Sequence, residues 1–176
     1  MNIKEIFKGK IKTRQPQSPG CGGTLHIQTE LTARKKVLDK NGVYQYTGDN
    51  RHVVNKVVTT AYVNFLASMH QTAATTIGDF KYHDSGIGTV AEAVGDTGLG
   101  TPWGGARDVG TQVASTNTYK SVGTTTYNAT NAITEHGLFN ASTGVTLMDR
   151  TVFAAINVVD TNQIEFTFQI TYAAGG

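Results

Sequence analysis

Apolar and polar positions along this chain fall mostly into period-two runs, and the clearest run lies near its end. In "NQIEFTFQITYA", Ile164, Phe166, Phe168, Ile170 and Tyr172 fall on one side, and Gln163, Glu165, Thr167, Gln169 and Thr171 on the other. That is the alternation of a half-buried strand. "TYKSVGTTTYNA", "NAITEHGLFN" and "VTLMDRTVFAAINV" precede it as three more strand candidates, the last two joined by a turn in "NASTGVT". Sequential strands of this kind usually pair antiparallel. Earlier in the chain, "TLHIQTEL" alternates with Leu25, Ile27, Thr29 and Leu31 on one side. In "VLDKNGVYQYTG", Asn41-Gly42 stands between two short apolar runs, the strongest short hairpin cue.

One segment breaks this rhythm. In "VVTTAYVNFLASMHQ", Val58, Ala61, Tyr62, Phe65, Leu66 and Met69 recur at spacings of three and four. This predicts a helix near 59–71, capped by Thr59 or Thr60 and laid over the face of a sheet. From Gly78 to Asn117 neither period holds. "HDSGIGTVAEAVGDTGLGTPWGG" carries seven glycines in 23 residues. It predicts a Gly-rich loop over 83–117, interrupted by a short helical turn at Val90–Val94. A connection that long inside a compact domain has a job. Trp103, the only tryptophan, lies in it. It either folds back on the core or anchors an oligomer interface. The predicted architecture is mainly β: an antiparallel, jelly-roll-like β-sandwich with one covering α-helix and an extended N-terminal arm.

Composition refines this picture. At 176 residues one main domain is expected, with the arm over 1–24 and the sandwich over 25–176. "RQPQSPGCGG" carries two prolines and three glycines, which keep the arm out of regular structure. Charged residues make up 16%, against roughly 25% in an ordinary soluble domain. A surface poor in charge suits a protein that sits among neighbours. The charge is also uneven. Residues 1–56 hold 11 Lys+Arg against 4 Asp+Glu, and residues 57–176 hold 4 against 9. Lys4, Lys8, Lys10, Lys12 and Arg14, with Phe7 among them, make the arm a candidate contact with an acidic surface of a partner or a neighbouring copy. Nucleic acid is a weaker candidate, because Phe7 alone offers a stacking ring and no recognised nucleic-acid motif follows.

A single cysteine, Cys21, leaves no internal disulfide framework. "MNIKEIFKGKIK" lacks the apolar run of a secretory leader. No stretch approaches eighteen apolar residues. The expectation is a chain made and soluble in a cytosol, with no membrane partner.

Signals for chemistry are weak. Ser68, Ser85, Ser115, Ser121 and Ser142 lie in no Gly-x-Ser-x-Gly elbow. His26, His52, His70, His83 and His136 stand singly, without zinc-ligand spacing. "GIGTVAEAVG" lacks the Lys-Ser/Thr pair of a phosphate loop. Asp96-Thr97-Gly98 matches an aspartic-protease triplet in letters, but Asp84-Ser85-Gly86 lies in the same loop rather than in a second lobe. Neither enzyme activity nor a cofactor or metal is expected. In "TLMDRTVF" the neighbours Asp149 and Arg150 point to opposite faces, so one of them meets an apolar side. A buried charge must be paired. Glu135 on the preceding strand is the natural partner of Arg150, as a structural pair.

"YHDSGIGTVAEAVGDTGLGT", "ITEHGLFN" and "TLMDRTVFAAINVVDTNQIEFTFQIT" resemble, in order and spacing, a family of small structural proteins of tailed bacteriophages. Members show a Gly-Asp-Thr-x-Leu loop, an Ile-Thr-Glu-x-Gly-Leu-Phe strand and a Leu-x-Asp-Arg-Thr-Val-Phe strand. The resemblance covers residues 82–172 and leaves the arm and residues 25–80 outside. It implies a virion component without catalysis: a capsid decoration (cement) protein on the shell of major capsid protein, as a homotrimer, or alternatively a tail, neck, fibre or baseplate component with receptor binding.

Overall fold

The computed structural model describes residues 24–70, 80–144 and 146–175. The arm residues Lys4, Phe7, Lys8, Lys10, Lys12 and Arg14, and Cys21, lie outside the described residues. Sheet I is built from β1 (Thr24–Leu38), β2 (Tyr44–Val54), β6 (Thr111–Ser115), β7 (Thr118–Thr126) and β10 (Gln163–Gly175), in the order β2-β1-β10-β7-β6. Sheet II contains β3 (Val57–Val58), β4 (Tyr82–Gly86), β5 (Asp108–Val109), β8 (Asn131–Phe139) and β9 (Leu147–Val158), in the order β3-β9-β8-β4-β5. Every pairing is antiparallel. The fold is a β-sandwich with a single α-helix among the described residues.

The alternation in β10 becomes the core. Ile164, Phe166, Phe168 and Ile170 are fully buried. Leu31 and Ala33 join them from β1, and Ile133, Leu138, Phe153, Ile156 and Val158 face them from sheet II. Burying each large side chain contributes about 1.5–3 kcal/mol. The Asn41-Gly42 cue closes the β1–β2 hairpin. Gly42 takes a φ of +75°, which glycine adopts without steric cost. Asp39 Oδ1 accepts the amides of Asn41 and Val43 at 2.8 and 2.9 Å. On the flank of β9 beyond β3, the Arg51 guanidinium donates to the carbonyls of Ala154 (2.7 Å) and Ala155, and Lys35 Nζ to that of Asn157 (2.6 Å). Cations from sheet I thus cover backbone groups that would otherwise be an open edge.

The helix α1 (Thr60–Met69) starts at Thr59, whose side chain accepts the Tyr62 amide. It plugs one end of the sandwich instead of covering a sheet face. Tyr62, its one buried residue, bonds Tyr172 near the end of β10 and packs edge-on against Phe80 at 5.1 Å. Ten residues reach about 15 Å, enough to close an end but short for spanning a five-stranded face.

The expected Gly-rich loop is shorter than predicted, because β4, β5 and β6 are cut out of it. The irregular part runs from 87 to 107. Val94–Gly95 form a turn, and no helix forms at Val90–Val94. The loop covers the outer face of sheet II as a third layer. β8 records this directly: Ile133–Phe139 are all buried, on both faces.

Candidate functional site

Glu135 and Gly137 on β8 and Arg150 on β9 point away from the core, under the loop. Glu135 is 0% exposed and Arg150 3%. Arg150 Nε donates to Glu135 Oε2 at 2.7 Å. The same carboxylate accepts three backbone amides, from Gly88 (3.0 Å), Gly100 (2.9 Å) and Thr101 (2.7 Å). Arg150 also reaches Asp96 Oδ2 at 2.9 Å and the Val90 carbonyl at 3.0 Å. Burial pushes the Glu135 carboxyl up, but the amides of Thr101 and Gly100 together with Arg150 outweigh it and hold it below the usual range. Three converging amides are the makings of an anion site. Here the anion is the chain's own Glu135.

This clamp accounts for two glycines of the loop, Gly88 and Gly100, and for Gly137 of β8. A Cβ on Gly88 would lie 2.4 Å from Glu135 Oε1, and one on Gly100 2.7 Å from Arg150 Nη2. A Cβ on Gly137 would meet Leu99 at 2.9 Å. They are there for close approach to the clamp and its cover, not to a phosphate.

Two further ion pairs fasten the ends of the loop: Lys56–Glu92 at 2.7 Å and Arg107–Asp84 at 3.3 Å. Arg107 also donates to the carbonyls of Ala141 and Gly144, both at 2.9 Å, and lies over the Phe139 ring. The two protease-like aspartates therefore serve different arginines, Asp84 with Arg107 and Asp96 with Arg150. Trp103 folds back, its ring edge-on to Tyr127 at 4.9 Å and half-buried.

Sequence spacing misses one constellation. His83 and His136, 53 residues apart, meet on the inner face of sheet II, with Nδ1 of His83 2.9 Å from Nε2 of His136. His83 Nε2 lies 2.8 Å from Ser121 Oγ of β7, so a Ser–His–His chain links the two sheets. Gly110 and Gly123 make room for His83, since a Cβ on either would lie within 2.6 Å of its ring. Strand parity carried the available signal, because it sets His136 beside the apolar Leu138. The composition is that of a nucleophile relay, yet all three residues are 0% exposed. Burial lowers both imidazoles, His83 to about 3, so both are neutral. Solvent and substrate are shut out, and the chain serves as a polar tie between the sheets.

His136 Nδ1 and Asp149 Oδ2 are buried without a hydrogen-bond partner. Asp149 Oδ1 accepts from Thr151 Oγ at 2.7 Å. Burial pushes its carboxyl up to about 7.

Among the described residues, Glu30, Asp39 and Asp160 are at least partly exposed carboxylates with no Lys or Arg partner. Asp49, Asp84, Glu92, Asp96, Glu135 and Glu165 are all in ion pairs. Among the described residues no group of three or more potential metal ligands gathers, and no helix is long and apolar enough to cross a membrane.

No protein-family model matches the chain, and comparison with curated proteins and with solved structures returns no match.

Proposed function

We propose that the chain is a non-enzymatic structural protein of a tailed-bacteriophage virion. Within the particle it is a capsid decoration (cement) protein, a homotrimer that binds and stabilises the shell of major capsid protein. It is made in the host cytoplasm and ends on the capsid surface. The observation that carries this reading is where the phage-like motifs fall. "ITEHGLFN" supplies Glu135, "MDRTVF" supplies Arg150, and "GDTGLG" supplies Asp96 and Gly100. All four meet in one clamp. The distinctive residues are spent on locking a cover onto a sandwich, which fits a part selected to persist in an assembly.

A tail, neck or fibre component is the competing reading. A sugar-binding fibre gathers exposed aromatics, whereas Trp103 is turned onto Tyr127. Quantitative protein analysis of purified particles separates the two. A copy number on the scale of the major capsid protein supports decoration. A handful of copies per particle supports the tail or neck. Absence from the particle overturns both. Sedimentation of the free and particle-bound protein tests the trimer.

A further inference from the structure

We infer that the cavity at the helix-plugged end of the sandwich is the receptor for the chain's own N-terminal arm. The cavity measures about 280 Å³ and is lined by Tyr62, Leu66, Phe80, Ala114, Met148 and Tyr172 among others. An apolar cavity of about 150 Å³ already accepts a benzene ring, so this one has room for a Phe ring and more. Its tyrosine hydroxyls are engaged: Tyr62 with Tyr172, and Tyr119 with the Phe80 carbonyl. Thr116, Asn117 and Thr118 complete the lining and carry no charge. The site carries no charge and therefore favours an apolar guest over a lysine.

Where the described chain begins points to that guest. Thr24 pairs with Gly175, and Ile27 with the cavity residue Tyr172. The arm therefore leaves sheet I beside the cavity, about 10 Å along the strand from Tyr172. Ile11 precedes Thr24 by 13 residues, across the Pro/Gly-rich "RQPQSPGCGG". Thirteen residues can reach at most about 40 Å. That reach exceeds the roughly 10 Å between Thr24 and Tyr172, so the tether lets the guest arrive and keeps its effective concentration high. Ile3, Ile6 and Phe7 recur at spacings of three and four, while Lys4, Lys8 and Lys12 recur at four. The helix-in-groove mode would seat Ile3, Ile6 and Phe7 in the cavity with Lys4 and Lys8 outside, and it ends before Lys10, which would fall on the apolar side. The arm's lysines then face outward to a partner. The inference is independent of what that partner is.

Methyl NMR of the full chain and of protein lacking residues 1–14 tests it. Deletion should shift the methyls of Leu66, Ala114 and Met148 and leave those of Leu31 and Ile164 in place. A synthetic peptide of residues 1–14 added to the truncated protein should restore the original positions. Ala114→Trp, an exposed edge-strand position on the cavity wall, should weaken the peptide by at least about tenfold. Three outcomes overturn the inference. The first is cavity methyls unmoved by deletion. The second is a truncated protein whose cavity stays protected and refuses the peptide, which makes residues 71–79 the occupant. The third is cavity shifts in the full chain that grow with protein concentration, which makes the guest a neighbour's arm.

Discussion

Glu135 and Arg150 sit on adjacent strands but not opposite each other. The register sets Glu135 against Val152 and Arg150 against Gly137, so the 2.7 Å pair is diagonal. The offset leaves space above Gly137 for the loop to descend onto both charges. Removing one partner leaves the other buried and uncompensated. Arg150→Leu should therefore cost about 3–5 kcal/mol in chemical denaturation. Glu135→Gln should cost less, because the amide oxygen still accepts from part of the loop. The double variant should cost less than the sum. Hydrogen exchange at Gly88, Gly100 and Thr101 should accelerate in both single variants, since these amides bond Glu135. Additive losses, or unchanged exchange, would show that the clamp does not hold the loop.

The loop's glycines should divide into two classes. Gly88→Ala and Gly100→Ala drive a methyl into the clamp and should each lower stability by about 1–3 kcal/mol, as overpacking does. Gly95 and Gly98 have nothing within 4 Å of an added Cβ. Ala at either should stay within about 0.5 kcal/mol of the parent. Thermal melts of the four variants check this, and four equal melting temperatures would refute it.

Strands whose one face meets the core and the other meets water were legible, β10 above all. β8 was legible as a strand in "NAITEHGLFN", but the cover on its outer face was not, because both of its faces are buried and alternation then carries no information about which side meets water. β4, β5 and β6 hide in a Gly- and Asp-rich stretch whose inner residues are His83 and Ser85 rather than Val or Ile. Strand β5 has only two residues, too few for any period. The Glu135–Arg150 pair was legible because a buried cation demands an anion and one strand back offered it. The Asp96 and amide contributions were not, since they depend on where the loop returns. His83 and His136 were missed because contact across a sheet depends on register rather than on spacing along the chain.

Core packing gives a simpler expectation. Phe166 and Phe168 are 0% exposed, and the His136 ring stacks on Phe166 at 4.6 Å. Phe166→Ala and Phe168→Ala should each cost about 3–5 kcal/mol by thermal or chemical denaturation. Phe166→Ala also uncovers His136, so its acid sensitivity should differ from that of Phe168→Ala.

The pH profile of stability should record a contest between His83 and His136 on one side and Asp149 on the other. Both imidazoles titrate near 6.5 when unfolded and are depressed in the fold, His83 to about 3. As pH falls below 6.5 the unfolded chain binds protons that the fold refuses. Stability therefore drops, by about 1.4 kcal/mol per pH unit for each imidazole. Asp149 acts in the opposite sense. Its carboxyl titrates at about 7 in the fold against 3.8 unfolded. Its contribution is complete below about pH 4 and is lost as pH rises to 7. Going from pH 7 to pH 5, two imidazoles cost about 4 kcal/mol together and Asp149 returns about 2–3. The parent should therefore change only modestly across that interval. Below pH 4 Asp149 has nothing more to give. His83 still loses stability down to about pH 3, and Glu135, held below its ordinary value, begins to lose its own contribution. Stability should then fall steeply. Asp149→Asn removes the opposing group, so its stability should slope down continuously from pH 7 to pH 4. His136→Phe removes one acid-sensitive imidazole and should flatten the acid limb. Denaturation midpoints of the three proteins measured from pH 4 to 8 decide it. Parallel profiles for the parent and Asp149→Asn would mean that Asp149 is ionised inside the fold, and this account of the sheet interface would be wrong.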